Sequence, residues 1–318
     1  MSEVAATTQE APPPEPAPRR IPLWACPVIG IGAALAGLLP WLVRGPRLPL
    51  QDLWAVDTAP GDMPLVLLPF SQYSLTLLFG LIVVGSAAAG IVARATAERL
   101  PRGGFALMAL GLLAAQAAAI TQSALVVRDG LQERSISTLY LGALVAVCTV
   151  SFLVGLVSVL LIARAPRAGA LLGLTLGATA AAPWAGGLVQ PLLTTDQGTL
   201  SSIVWLLQWV TPVLTGIAIA WTGVNTVGRV LAALVSLALI WIAPAAMTGI
   251  ASAAGSRALA RDPLDMIDYG VSVFRMALFI PELALRPIVA ALAVAIIGLL
   301  VRWAVARARR DRRSAAVS

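Results

Sequence analysis

The chain of 318 residues contains no histidine and no lysine, so all 22 of its basic residues are arginine. Without an imidazole there is no Ser-His or Cys-His nucleophile pair, no HExxH zinc site and no histidine proton relay. Without a lysine the phosphate-binding GxxxxGK[ST] loop cannot be completed. These absences exclude several large enzyme classes, including the P-loop ATPases, from the chain itself.

Charge is also scarce. Only 12% of the residues are charged, 59% are hydrophobic, and the mean hydropathy is +0.89. A soluble domain carries about 25% charged residues, so a water-soluble globule of this composition would expose too much apolar surface. Disordered chains need low hydrophobicity and high charge. The composition therefore predicts a polytopic membrane protein, and the arginine- and alanine-rich usage is typical of a bacterial genome rich in GC.

Cysteine is limited to Cys26 and Cys148. The two residues fall in different predicted spans at different depths, whereas a disulfide needs Cα atoms within about 7 Å of each other. We expect no disulfide. Because no metal-binding or cofactor-binding motif is present, we assign no catalytic residue, no metal and no cofactor.

Long apolar runs set the fold class. A helix needs about 20 apolar residues to cross about 30 Å of hydrocarbon, and only helices or closed barrels satisfy their backbone there. The sequence predicts an all-α bundle of eight transmembrane helices within residues 21–305, with seven or nine crossings as the alternatives. The eight runs are residues 21–43, 72–93, 105–127, 138–163, 168–190, 200–221, 228–250 and 284–305.

The two tails and the arginine distribution predict the orientation. Residues 1–20 are rich in Pro, Glu and Ala and should be disordered. With the N-terminus inside, the inner side (its loops, the inner span ends and the two tails) holds 14 of the 22 arginines, as the positive-inside rule requires. We therefore expect a plasma-membrane protein with both termini in the cytoplasm and no nucleic-acid partner. The basic tail 306–318 should bind anionic lipids through Arg307, Arg309, Arg310, Arg312 and Arg313.

Small residues recur at helical spacing in two spans. Gly169, Gly173 and Gly177 follow one another at intervals of four, which gives a smooth stripe for close helix packing. Gly111, Ala115 and Ala119 form a weaker version in the third span. We interpret the stripes as packing within the chain or as the seam of a homo-oligomer or a complex with a membrane partner.

Polar side chains are rare within the predicted spans. Gln116 and Gln208 are the clearest candidates for an intramembrane site, and no Asp or Glu lies near a span centre. Carriers coupled to protons or ions usually place ionisable groups there, so this type of carrier is disfavoured. We interpret both glutamines as interhelical hydrogen-bonding residues rather than ligand-binding residues.

Acidic residues collect in two outer loops. Asp262 followed by Pro263 is typical of a helix start, and the segment after it has an acidic face and an apolar face. It predicts an amphipathic helix that lies in the outer interface or re-enters the membrane. The two loops could form a site for a cation, a cationic headgroup or a partner protein; the alternative is a solvated surface. The acids concerned are Asp52, Asp57 and Asp62 in the first loop and Asp262, Asp265 and Asp268 in the last.

Two functional hypotheses follow. The first is a non-enzymatic membrane protein, either a permease-like carrier of a hydrophobic or amphipathic substrate or a subunit of an envelope assembly. The second is an enzyme of the kind that uses lipid-linked sugars as glycosyl donors, because Asp52 or Asp57 lies where such enzymes place an essential acid. That similarity is one of position only.

Overall fold

The computed structural model describes residues 20–189, 203, 205–256 and 262–315. The predicted disordered tail, apart from Arg20, lies outside the described residues. Within them, helices make up nearly all of the regular structure, and a short 3₁₀ turn, Gln72–Ser74, precedes the second helix. The helices are α1 (Ala25–Val43), α2 (Leu75–Ala95), α3 (Gly104–Gly130), α4 (Ser135–Arg164), α5 (Arg167–Val189), α6 (Val210–Thr222), α7 (Val227–Gly255), α8 (Pro263–Leu278) and α9 (Pro281–Ala315).

Eight helical segments of the described chain are long and apolar enough to cross a membrane. They coincide with the eight predicted runs, the sixth being Trp205–Thr222, so the predicted all-α polytopic bundle is confirmed. The remaining helix, α8, is the predicted amphipathic one. The last helix continues through Ala315, so most of the basic tail extends the final span as helix.

The helices form two groups on either side of α5. Helices α1 to α4 pack on one another, with α2 at their centre, while α6 packs on α9 and α7 packs on α8. Helix α5 contacts α2 and α4 on one side and α6 and α7 on the other. The bundle therefore has two parts that meet at a shared helix, which leaves room for a cleft between them.

Glycines bring the backbones of the first group close together. A β-carbon at Gly30 would overlap the carbonyl oxygen of Met108 in α3, and one at Gly111 would overlap the backbone of Pro27 in α1. A β-carbon at Gly37 would overlap a backbone carbonyl of α2. Because lipid tails are as apolar as leucine, such close contact is a main source of helix association in a membrane.

We call the bundle end that carries residues 44–71 the first-loop end, and the opposite end the arginine-rich end. At the arginine-rich end, Arg94 donates to the carbonyl oxygens of Ile162 (2.6 Å) and Ala165 (3.0 Å), and Arg302 donates to those of Ala220 and Trp221. Cations are favourable at helix C-termini, where carbonyl groups lack partners. These contacts join α2 to α4 and α9 to α6.

Helix α8 forms a hairpin with α7. As predicted, the Asp262 side chain caps α8 by accepting hydrogen bonds from the backbone N–H of Leu264 (3.0 Å) and of Asp265 (3.3 Å). A β-carbon at Gly249 of α7 would lie 2.7 Å from the carbonyl oxygen of Gly270 in α8. A second contact joins Trp241, eight residues before Gly249 in α7, to Leu278, eight residues after Gly270 in α8. There Trp241 Nε1 donates to the carbonyl oxygen of Leu278 at 2.9 Å.

The spacing of these two contacts gives the direction of α8 relative to α7. Eight residues of helix span about 12 Å, so α8 runs antiparallel to α7 over that length. Residues 228–250 form the predicted seventh span, and Trp241 lies well inside it. The amphipathic helix therefore packs lengthwise against α7; its placement in the outer interface or within the membrane stays a prediction.

Candidate functional site

A cleft of about 860 Å³ opens at the first-loop end, within the ~300–1,000 Å³ typical of ligand pockets. One wall is α4 from Ile136 to Val147. The opposite wall is the hairpin of α7 and α8, and the first loop with the 3₁₀ turn closes the outer end. The cleft thus lies between the two groups of helices.

The cleft extends deep along the helices. Its lining on α4 reaches Val147, and the span predicted for this helix begins at residue 138. The distance along the helix from residue 138 to residue 147 is about 14 Å, or about half of the ~30 Å hydrocarbon thickness. The cleft therefore extends along α4 over a length comparable to the thickness of one leaflet.

Polarity changes along this depth. The deep lining is aliphatic or aromatic, from Leu144 and Val147 on α4 to Ala246 on α7 and Phe274 on α8. The polar residues of the described lining all belong to the first-loop end, and Asp52 is the one charged side chain among them. The polar residues are Gln51, Asp52, Ser71, Gln72, Tyr73, Tyr140 and Ser256.

The first loop is held in place by side chains of the bundle. Trp41 of α1 donates its indole N–H to the carbonyl oxygen of Val66 at 2.8 Å. Gln122 of α3 accepts from the backbone N–H of Leu67 (2.9 Å) and donates to the carbonyl oxygen of Leu65 (3.0 Å). Leu68 and Phe70 are fully buried beneath the loop. The loop is consequently a packed lid on α1 and α3, which positions its residues 50–53 at the cleft.

Hydrogen bonds also fix the rim of the cleft. The hydroxyl of Tyr140 donates to Gln51 Oε1 at 2.6 Å, and Gln51 Nε2 donates to the carbonyl oxygens of Pro49 (2.8 Å) and Phe70 (3.0 Å). Ser71 Oγ accepts from the backbone N–H of Tyr73 at 3.3 Å. Gln51, Ser71 and Tyr140 therefore hold the loop, the 3₁₀ turn and α4 in one arrangement.

Two rim side chains reach solvent. Asp52 is exposed, and Tyr73 is 59% exposed. A β-carbon at Gly255, the last residue of α7, would lie 3.9 Å from Cε1 of Tyr73. The Tyr73 ring therefore lies at the mouth, next to the end of α7.

The six acids predicted to share an outer site occupy different positions. Asp52 lines the cleft, whereas Asp57 and Asp62 are exposed elsewhere on the loop. Asp262 caps α8, and Asp265 and Asp268 are exposed on that helix outside the cleft lining.

The acids of α8 lie outside the cleft lining because this helix is amphipathic. Its apolar face, including Met266, Ile267, Val271 and Phe274, lines the cleft. Its acids are absent from that lining. In the described part of the chain, no three Asp, Glu, Cys or His side chains are placed to hold a metal ion. A combined acidic site for a cation or partner stays a prediction.

The two candidate glutamines lie away from the cleft lining. Gln116 is 3% exposed and joins α3 to α2, because its Nε2 donates to the Ile82 carbonyl oxygen (2.9 Å) and to Ser86 Oγ (3.1 Å). This geometry is that of an interhelical hydrogen bond. Gln208 is exposed in the turn before α6.

The glycine stripe of α5 contacts other parts of the same chain. A β-carbon at Gly177 would lie 2.7 Å from Cβ of Ala87 in α2, and one at Gly173 would lie 3.0 Å from the Ser158 carbonyl oxygen in α4. Gly169 lies against Ala165, just before α5. The stripe therefore packs α5 into the first group of helices.

Sequence analysis did not identify Tyr73, Tyr140 or the wall on α4. The one available signal was the helical spacing of Ile136, Tyr140 and Val147, which lipid-facing residues show equally. Comparison with known proteins finds no family model, no curated protein and no solved structure that matches this chain. The functional argument accordingly depends on the geometry of the cleft.

Proposed function

We propose that this protein is a non-enzymatic multi-pass protein of the bacterial plasma membrane that binds an amphipathic lipid in the cleft. The lipid chains lie between α4 and the α7–α8 hairpin, and the headgroup lies at the first-loop end. The observation that carries the proposal is the change along the cleft, from polar side chains at the first-loop end to apolar ones farther along the helices.

The exposed apolar surface of the walls supports this proposal. Leu139 of α4 is 56% exposed, and Ile250 of α7 and Ile267 of α8 are 54% and 60% exposed. In a bilayer this surface must contact acyl chains, either those of bulk lipids or those of a bound lipid. Because bulk lipid tails are as apolar as these walls, selective binding of one lipid depends on shape and on the polar rim.

The arginine distribution supports the orientation. Arg94, Arg164 and Arg302 lie at the end opposite the first loop, where Arg94 and Arg302 cap helices. Under the positive-inside rule, that end faces the cytoplasm together with both termini. The cleft then opens to the outer leaflet, and the basic extension of α9 reaches the anionic lipid surface of the inner one.

This proposal favours the carrier hypothesis over the enzyme hypothesis in one respect. An enzyme acting on lipid-linked sugars should bring several acids to one outer pocket, whereas among the described lining residues only Asp52 is acidic. The cleft ends about halfway across the bundle, so it suits acceptance and storage of a lipid from one leaflet. Carriage to a partner would be the next step.

The proposal is tested by filling the cleft. Ala143 is an exposed alanine of α4 that lines it, and Ala146 is an exposed alanine of the same helix that does not. Ala143→Trp should reduce the amount of lipid that stays bound through detergent purification, measured by native mass spectrometry, while Ala146→Trp should leave it unchanged. Equal lipid retention by the wild type and both variants would refute the proposal.

A further inference from the structure

A groove runs along one face of the last helix at the arginine-rich end. Its volume is about 500 Å³, and its described lining residues all belong to α9. Intervals of three and four residues put successive members on the same helical face. We call this feature the α9 groove, and it is lined by Val301, Arg302, Val305, Ala306, Arg309 and Arg310.

The groove lies where α9 extends past its neighbour α6. Arg302 Nη1 donates to the carbonyl oxygens of Ala220 and Trp221, the latter at 2.8 Å. Helix α6 ends at Thr222, whereas α9 continues to Ala315. The face of α9 that contacts α6 at Arg302 therefore continues beyond the end of α6, and the groove follows this continuation.

The guanidinium of Arg302 is held in place without being neutralised by these contacts. Both of its acceptors are carbonyl groups without formal charge. Arg309 lies seven residues, or about 10 Å, farther along the same face and is exposed. Between positions 301 and 312 the helix has five arginines and one acid, Asp311. This part of α9 consequently has an excess of positive charge.

Apolar side chains separate the two arginines of the groove. Val301 and Val305 are both exposed, and the predicted last span ends at residue 305. The groove thus lies where the apolar span passes into the basic extension, which is the level at which a phospholipid has its phosphate. Basic pockets beside transmembrane helices bind anionic headgroups there, and the guanidinium fork of arginine matches the geometry of phosphate oxygens.

We propose that the α9 groove is a discrete binding site for one anionic phospholipid. Arg302 and Arg309 bind the phosphate, and Val301 and Val305 contact an acyl chain. A soluble phosphate would leave the apolar residues without a contact, so we commit to a lipid. The site is independent of the proposed function, because the cleft lies at the other end of the bundle.

A discrete site differs from a general attraction of the basic tail to an anionic membrane, in which every arginine contributes equally. Arg307 and Arg312 are therefore matched controls for Arg309. All three are exposed arginines of the same helix, and neither control lines the groove. The guanidinium of Arg307 lies instead 5.5 Å from the ring centroid of Trp303.

The experiment uses the full-length protein in nanodiscs of phosphatidylcholine with a minor share of phosphatidylglycerol that has identical acyl chains. Native mass spectrometry of the released protein measures how strongly phosphatidylglycerol is enriched among the retained lipids. Arg309→Gln should lower this enrichment about fivefold, the factor for one arginine near an anionic surface. Arg307→Gln and Arg312→Gln should keep the wild-type enrichment. Because Arg309 is exposed, its variant should show the circular dichroism spectrum of the wild type.

Equal losses in all three variants, or no loss in Arg309→Gln, would overturn the discrete site. Displacement of phosphatidylglycerol by inorganic phosphate would overturn the lipid assignment, since a soluble anion would then suffice. Loss of the enrichment in Ala143→Trp would overturn the location, because the retained phosphatidylglycerol would then lie in the cleft. An Ala143→Trp variant that loses other lipids but keeps the enrichment supports both sites separately.

The acids of the N-terminal segment supply the last arm. Helix α1 begins at the arginine-rich end, and the segment before it contains Glu3, Glu10 and Glu15. A variant with all three replaced by glutamine should retain phosphatidylglycerol as the wild type does. A several-fold rise in retention would overturn the proposal, because the N-terminal segment and not a lipid would then occupy the groove.

Discussion

Gly30 and Gly32 of α1 offer a matched test of the helix packing that shapes the first group. Both are glycines of the same helix, and Gly30 is buried while Gly32 is exposed. A β-carbon at Gly30 would overlap the Met108 carbonyl oxygen and lie 2.8 Å from the backbone nitrogen of Leu112, whereas one at Gly32 would meet nothing within 4 Å. The same substitution to alanine should therefore have opposite effects.

The magnitudes follow from two terms. Replacing glycine with alanine within a helix stabilises it by up to about 1 kcal/mol. At Gly30 the added methyl group meets backbone atoms that cannot rotate away, so α1 and α3 must separate, at an overpacking cost of up to about 3 kcal/mol. Gly30→Ala should lower the free energy of unfolding by about 2 kcal/mol. Gly32→Ala should leave it unchanged or raise it by up to about 1 kcal/mol.

The assay is unfolding of the two purified variants and the wild type in dodecyl maltoside by increasing mole fractions of sodium dodecyl sulfate. Circular dichroism and tryptophan fluorescence report the transition. A Gly30→Ala transition at or above that of the wild type would refute the close approach of α1 to α3. A Gly32→Ala variant destabilised as much as Gly30→Ala would show that the effect is not a contact effect at all.

Two more substitutions test individual hydrogen bonds. Gln116→Leu should change the free energy of unfolding by less than about 1 kcal/mol, because interhelical hydrogen bonds in membranes average only about 0.6 kcal/mol and the buried Oε1 has no partner among the described residues. The same denaturation assay checks this prediction. A loss of several kcal/mol would contradict it. Trp241→Phe removes the donor to the Leu278 carbonyl oxygen and should speed amide hydrogen exchange in α8 but not in α2. Trp24→Phe, at an exposed tryptophan, is its control, and equal exchange in both variants would disprove the role of Trp241.

The spans were predictable because the bilayer imposes a length and a composition on any helix that crosses it. Each of the eight apolar runs coincides with a helix, although several boundaries moved by a few residues. Helix α4 begins at Ser135 and α9 continues to Ala315, since arginine and alanine are good helix formers and no stop signal follows Trp303. The cap at Asp262 was predictable for a similar reason, because its chemistry is local.

The cleft was not predictable from the sequence, since its walls have the same composition as lipid-facing surfaces. Leu139 of α4 and Ile250 of α7 line the same cleft, but nothing in the sequence distinguishes them from residues that face lipid. The glycine contacts of α1 show no repeat of glycine at intervals of four, because Gly30 and Gly37 are seven residues apart. Tertiary arrangement, not local pattern, decides both features.

The end of α8 beside α7 leaves carbonyl groups that need partners, because the last carbonyl groups of a helix have none within the helix. Trp241 provides part of that solution by donating its indole N–H to the Leu278 carbonyl oxygen, and the backbone N–H of Phe279 bonds to Met276. With its end satisfied in this way, α8 can stay beside α7 and present Ile267 and Phe274 toward α4. The apolar wall that α8 contributes to the cleft thus depends in part on a polar contact, which lies about 12 Å along α7 from the Gly249–Gly270 crossing.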